Sequence, residues 1–221
     1  FRMIPKVPDA KGPNMVRPLG VILAGGLARR MGGGDKSLLS LGASSRVLDL
    51  VIARLGAQVD QMILNANGDP ARFDEFGLPV VADSLEGFLG PLAGVLAGLD
   101  YAANHGFDHI VSAAADTPFF PTDLASALET ASKHMDVPIA LAATKIEGGK
   151  TVRHPTFGLW PVALREDLRS ALQNGLRKVV LWTDQHGVET HVFGSGEIDP
   201  FFNINTPEDL ELANKMMETL S

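Results

Sequence analysis

Between Leu23 and Lys36 the chain reads Leu-Ala-Gly-Gly-Leu-Ala-Arg-Arg-Met-Gly-Gly-Gly-Asp-Lys. Glycines let a backbone approach phosphate oxygens closely and turn several N–H groups toward them. Arg29, Arg30 and Lys36 against the single Asp35 leave this stretch with a charge of +2, in a chain whose formal net charge is -7. Arginine grips phosphate oxygens with a planar fork, and lysine acts as a compact point charge. The segment therefore reads as a polyphosphate cradle, with Arg29, Arg30, Gly33 and Gly34 as its contacting loop and Gly25 and Gly26 at its entrance. It is not a Walker loop, because Asp35 stands where glycine must precede the lysine. Nor is it the dinucleotide fingerprint, since counting from Gly32 puts Ser37 at the last small position. A glycine-rich surface loop is the plainer alternative; three basic residues directly after an apolar run favour phosphate.

Further polar residues fall where apolar runs end: Asn65 after Gln61–Leu64, Asp83 after Pro79–Ala82, and Asp116 after His109–Ala115. Each has a bland alternative, as a strand terminator or a cap for the following turn. Asn203 and Asn205 lie two apart, so an extended backbone turns both to one side, although Asn205 could instead cap a helix with Thr206. His105 and His109 are four apart, but Gly106 interrupts helical geometry and no third ligand stands near, so they read as a solvent-facing pair. Trp160, Trp182, Phe119-Phe120 and Phe201-Phe202 read as packing.

The elements that must carry these residues alternate. Leu19–Ala24 is a buried strand, Val47–Leu55 a helical stripe, Gln61–Asn65 and Pro79–Ala82 short strands. Gly90-Pro91 opens a helix continuing to Ala103. Strands are predicted over His109–Ala115, Pro138–Thr144, Thr156–Trp160 and Val188–Phe193, and helices over Pro121–His134, Pro161–Gln173 and Leu176–His186. A last helix starts at Thr206-Pro207-Glu208-Asp209, with threonine as cap and proline in the first helical position. Repeated strand–helix alternation implies a mostly parallel sheet covered on both faces, with ligands outside the carboxyl ends of its strands. Residues 1–18, with four prolines and little apolar periodicity, read as a poorly ordered tail, and 19–221 as a single domain.

Composition narrows the chemistry. Of 221 residues, 45% are hydrophobic and 20% charged, enough for a sizeable core and too apolar for disorder. The chain has no cysteine, which removes disulfides, thiolate nucleophiles and cysteine metal sites. An acidic balance argues against nucleic acid as partner, and the apolar runs are too short for a bilayer. No secretory pattern opens the chain, so a cytoplasmic monomer is expected.

From these letters a resemblance emerges. Leu23–Lys36 resembles the signature of nucleotidyltransferases that activate sugars and cofactors, and the doubled arginine followed by Met31, glycines, Asp35 and Lys36 is most similar to the molybdenum cofactor guanylyltransferases. Asn65-Ala66-Asn67, Asp83-Ser84, Gly90-Pro91-Leu92-Ala93-Gly94, Asp116-Thr117-Pro118, His154-Pro155-Thr156 and Asn203-Ile204-Asn205-Thr206-Pro207 follow in the matching order, so the resemblance spans residues 19–215. It implies a Rossmann-like three-layer α/β/α fold and transfer of GMP from GTP to the phosphate of molybdopterin, with release of pyrophosphate. It also implies roles. Leu23, Ala24, Gly25, Gly26, Lys36, Asn65, Asp83 and Asp116 would bind GTP, and Arg30, Lys36 and Asp116 would be catalytic. Asp116 would hold Mg²⁺, and Asn203, Asn205 and, more loosely, His154 would face molybdopterin. Apo-molybdoenzymes or their chaperones would be the receiving partners. A departure lies at Ala43-Ser44-Ser45, where many relatives carry a basic residue and proline; Arg46 is the candidate replacement. Two other functions fit the same letters: a cytidylyltransferase or sugar-phosphate nucleotidyltransferase, and a non-catalytic molybdopterin carrier.

Overall fold

In the computed structural model the described residues are 17–25, 35–87, 90–146, 148–194, 196 and 198–220. Gly26, Arg29, Arg30, Gly33, Gly34 and residues 1–16 of the expected tail lie outside them. The strands are β1 (Leu19–Leu23), β2 (Ser40–Leu41), β3 (Ser45–Arg46), β4 (Met62–Asn65), β5 (Val80–Val81), β6 (His109–Ala114), β7 (Ala140–Lys145), β8 (Thr151–Pro161) and β9 (Glu189–Phe193). The helices are α1 (Val47–Gly56), α2 (Pro91–Asn104), α3 (Leu124–Ser132), α4 (Arg165–Gln173), α5 (Val179–His186) and α6 (Pro207–Leu220). Seven strands form one sheet in the order β5-β4-β1-β6-β8-β7-β9. All neighbours pair in parallel except β8, which is antiparallel to both β6 and β7. The expected three-layer architecture is therefore the observed one.

Alternation along the central strands builds the two covered faces. Ile22, Val111 and Ala142 turn to the side of α1 and α3, where Leu48, Val51, Leu55, Leu124 and Leu128 close over them. Val21, Ile110 and Leu141 turn to the other side, under Leu92, Val95 and Leu99 of α2, Leu168 and Leu172 of α4, and Trp182 of α5. Strands buried on both faces must be apolar throughout, which is why β1 and β6 read as continuous hydrophobic runs. Both tryptophans are fully buried, and each indole finds an acceptor: Trp160 donates to Ser112 Oγ at 2.8 Å and Trp182 to Asp167 Oδ1 at 2.8 Å.

Helix α2 comes unusually close to the sheet because of two glycines one turn apart. A Cβ at Gly98 would lie 2.7 Å from Val21 Cγ2, and one at Gly94 only 2.3 Å from Asn65 Oδ1. Its start is as expected: Gly90 takes φ +78°, and Pro91 occupies the first helical position, where no amide donor is needed. At the other end of the chain, Thr206 and Asp209 cap α6 reciprocally: Asp209 N–H donates to Thr206 Oγ1 at 3.2 Å, and Thr206 N–H to Asp209 Oδ2 at 2.9 Å.

Several boundaries differ from the sequence expectation. Helix α3 starts at Leu124, not Pro121, because Gln58, in the turn just after α1, supplies the cap from a distance, accepting from Ala125 N–H at 2.9 Å and donating to Pro121 O at 3.1 Å. Strand β8 begins five residues early, at Thr151, since its polar first half pairs with β7. Val162–Leu164 is a 3₁₀ turn leading into α4. The β2–β3 hairpin and the 3₁₀ helices Lys36–Leu38 and Pro70–Phe76 have no counterpart in the expectation. His109 is half-buried, so it is not a solvent-facing partner of the exposed His105, which stacks on Tyr101 at 3.8 Å.

Candidate active site

Chain order sets the place of the site. From β1 the sheet grows outward through β4 and β5, then resumes on the other side of β1 with β6. In an open sheet of this kind a ligand crevice lies outside the carboxyl ends of the strands at such a switch. A cavity of about 350 Å³ lies there, with Leu23, Ala24, Gly25, Ala114, Ala115 and Asp116 along its floor. Floor strands are locked to one another and to their neighbours: Ala24 N–H donates to Asn65 O at 2.8 Å and Ala115 N–H to Leu23 O at 3.1 Å.

One wall is built around the Asp83 carboxylate. Its Oδ1 accepts from Asn65 Nδ2 at 3.0 Å and its Oδ2 from Asn67 Nδ2 at 2.8 Å, while Asp83 N–H donates to Asn67 Oδ1 at 2.9 Å. Asn65 also donates to Val81 O at 3.2 Å and is only 2% exposed. Thus Asn65 lines the cavity chiefly as the orienter of Asp83. Each carboxylate oxygen has one lone pair spoken for, so the second pair of each can face a ligand carrying two adjacent donors.

A second wall carries charge. Asp35, Lys36 and Ser37 line it, with Asp116 on the adjoining floor. Burial pushes the Asp116 carboxyl above the usual carboxylate range, and the Lys36 ammonium opposes that shift. Thr117 Oγ1 lies 3.4 Å from Asp116 Oδ1. Lys36 Nζ donates to Asn205 Oδ1 at 2.8 Å. Asn205 is placed by the segment before α6: Ile204, fully buried, donates its N–H to Asp116 O at 2.9 Å, and Asn205 N–H bonds Asp209 Oδ2 at 2.9 Å. Burial pulls the Asp209 carboxyl upward, but the N–H groups of Asn205 and Thr206, the Thr206 hydroxyl and the Lys36 charge outweigh it and hold the group low.

Asn203 and Thr156 complete the polar lining of the cavity. Of the residues singled out from sequence and described here, Leu23, Ala24, Gly25, Lys36, Asn65, Asp83, Asp116 and Asn203 meet in this one space, and Asn205 joins it through Lys36. His154 is not among its lining. Its Nε2 pairs with Thr144 Oγ1 at 2.9 Å, and its ring stacks on Phe201 at 4.1 Å, two residues before Asn203. Burial depresses its pKa, against the charge of Asp199. Arg46, the candidate replacement for the basic residue, is not among the residues lining the cavity. Its guanidinium is taken by Asp49 at 3.2 Å and by Glu75, over the Phe76 ring at 4.3 Å. Residues without an assigned role also line the cavity: Asp35, Ser37, Gly90, Pro91, Gly94, Ala114, Ala115 and Thr156. Several stand inside the letter groups that carry the resemblance, so order along the chain could have found them.

A cavity lined both by a fixed carboxylate and by a lysine near a half-buried aspartate suits a ligand with a donor-rich flat end and an anionic end. Among the described residues of its lining there is no histidine to serve as a general base.

Comparison with known proteins agrees. Residues 20–188 match the model of the MobA-like NTP transferase domain. The chain is 48% identical to a molybdenum cofactor guanylyltransferase of Mesorhizobium japonicum, over 91% of this chain and 97% of that one. It is 51% identical to another from a Bradyrhizobium species, over 89% and 92%. Among solved structures it resembles molybdopterin-guanine dinucleotide biosynthesis protein A of Archaeoglobus fulgidus, with a TM-score of 0.67 and 20% identity, over 91% of this chain and 99% of that one; this likeness concerns the fold. The chain belongs to the molybdenum cofactor guanylyltransferase family, within the MobA-like NTP transferases.

Proposed function

We propose that the chain transfers GMP from GTP to the terminal phosphate of molybdopterin, releasing pyrophosphate and forming molybdopterin guanine dinucleotide, with residues 19–221 acting as one nucleotidyltransferase domain. The observation that carries this reading is the Asp83 carboxylate, held by Asn65 and Asn67 in a cavity whose lining also includes Lys36 and Asp116. Guanine offers two adjacent donors, N1–H and N2–H, to such a carboxylate, whereas cytosine offers only N4–H. Asp83 and the backbone of Leu23, Ala24 and Gly25 would bind the base and ribose, with Asn65 fixing Asp83. Lys36 and the Arg29-Arg30 loop would receive the polyphosphate, and Asn203 would face the acceptor.

An oxygen of the molybdopterin phosphate attacks the α-phosphorus of GTP. The bond from that phosphorus to the β-bridging oxygen breaks, and its electron pair leaves with pyrophosphate. A phosphate monoester is largely ionised at neutral pH, since its second pKa is about 6. No base is needed to make the nucleophile, in keeping with the lining. The remaining task is to bring two anions together, by positioning and by fixed positive charge. Lys36, held at 2.8 Å by Asn205, supplies part of that charge.

The donor set also fits Mg²⁺. Asp116 is a half-buried residue whose carboxyl is raised above the usual range by desolvation, and a hard cation takes one or two carboxylates plus phosphate oxygens. Bound there, the cation would draw charge from the phosphate oxygens. Incubation of the purified chain with Mg²⁺, molybdopterin and each of GTP, CTP, ATP and UTP tests the reading through pyrophosphate release. GTP is expected to be the preferred donor; equal or better release from CTP would overturn it.

A further inference from the structure

The two walls of the cavity are joined by a residue that does not line it. Arg72 lies in the 3₁₀ helix Pro70–Phe76, which is anchored by Phe73, 1% exposed. The guanidinium lies 4.5 Å over the Phe73 ring and spends its donors in three directions. Nε donates to Asp35 Oδ2 at 2.8 Å, one terminal nitrogen to Asn67 O at 2.7 Å, and the other to Asp69 O at 2.6 Å. Asp35 is the residue before Lys36, and its other oxygen accepts from Ser37 Oγ at 3.2 Å, so Arg72 and Ser37 occupy both oxygens of that carboxylate. Asn67 is the residue whose side chain both donates to and accepts from Asp83. One rigid fork thus bonds the backbone that carries the amide holding Asp83 and the acid that precedes Lys36.

An isolated surface ion pair contributes little. This pair differs in two respects: the Asp35 side chain is only 16% exposed, and the guanidinium is held by two carbonyls and a ring at once. We infer that Arg72 is a positioning residue that sets the distance between the guanine-reading wall and the polyphosphate wall, so that the two ends of one GTP are gripped together. This rests on the guanylyl-transfer reading above. The planar fork is essential to it, because lysine cannot address three acceptors in fixed directions.

Steady-state kinetics of Arg72→Ala, Arg72→Lys, Lys36→Ala and the Arg72→Ala/Lys36→Ala double variant test it, with GTP and with inosine triphosphate, which lacks the 2-amino donor. Arg72→Ala is expected to raise the KM for GTP about tenfold, as misplacement away from the chemistry does, and Arg72→Lys is expected not to restore it. The GTP-to-inosine preference should fall several-fold in Arg72→Ala, and Lys36→Ala should cost several-fold less in that background than in the wild type, since coupled residues are non-additive. A purely structural Arg72 would lower Tm while leaving the base preference unchanged and the two substitutions multiplicative; that result, or full rescue by lysine, would overturn the inference. A wild-type preference for another triphosphate would refute the guanine reading alone, and the same double-variant cycle run on that nucleotide still decides Arg72. Failure of the wild type to take up any nucleotide would overturn both.

Discussion

The two walls of the cavity are built on opposite principles. Around Asp83 the protein has already answered the charge: two amide donors, one per oxygen, and a backbone N–H returned to Asn67. Around Asp116 it has not. Burial lifts that carboxyl above its ordinary range, and Lys36, the charge that opposes the shift, is itself bonded to Asn205. A wall that reads a base must hold its shape before the ligand arrives, so its polar atoms are paired in advance. A wall that meets phosphate and a cation gains from an unmet charge, because ligand binding then relieves a cost that folding left in place.

The largest effect that could break this contrast is at Asp116. Replacement by asparagine is expected to lower turnover on the order of 10²-fold or more, as loss of one preorganised charge contact does. The same change should raise the Tm of the metal-free protein at neutral pH. The sign follows from the raised carboxyl. At pH below the ordinary carboxylate value both the folded and the unfolded chain hold the proton, and nothing is lost. As pH rises from there through the raised folded value, the unfolded chain ionises first and the folded state loses relative stability. Asp116→Asn removes that loss, and Mg²⁺ should raise the Tm of the wild type more than that of the variant. Thermal melts with and without Mg²⁺ read both outcomes; a destabilised, metal-insensitive pair would show that Asp116 is not under electrostatic strain.

The paired wall should respond in selectivity. Asp83→Asn keeps the shape but turns one acceptor into a donor that, on the proposed reading, would face the guanine edge, beside the amides of Asn65 and Asn67. The ratio of kcat/KM for GTP over CTP should fall roughly 10- to 100-fold, the range for a mispaired base edge. An unchanged ratio would place base reading elsewhere in the cavity.

The contrast also explains what was legible in the sequence. The sheet could be read because β1 and β6 are continuous apolar runs, and the ligand end because Asn65, Asp83 and Asp116 each follow such a run. The β2–β3 hairpin could not, as two residues per strand leave no period to detect. Strand β8 was read short because Thr151–Pro155 is polar and becomes strand only through its partner β7. Within the site, types of residue were legible but their partners were not. Asp35 and Arg72 stand 37 positions apart, and Lys36 and Asn205 169 apart, so only folding shows that one acid is already neutralised and that one amide serves a lysine. The Arg46 pair is the opposite case: Asp49, three residues on in α1, is a local partner.

The smallest expected effect sharpens the contrast most, because it moves the reading wall without touching any charge. A methyl group at position 94 would stand 2.3 Å from Asn65 Oδ1 and 2.8 Å from Leu23 Cδ2, in a helix face that already rests on the sheet. Either α2 lifts or Asn65 rotates, and overpacking of this kind costs about 1–3 kcal/mol. If Asn65 rotates, Asp83 loses one of its two amide donors and the GTP-over-CTP ratio drops several-fold, while the Mg²⁺-dependent rise in Tm, which belongs to Asp116, stays as in the wild type. Gly94→Ala measured for Tm and for nucleotide preference therefore separates the walls: a loss of metal response together with selectivity would mean that they are one unit, and a loss of selectivity alone that rigidity and charge are independently housed.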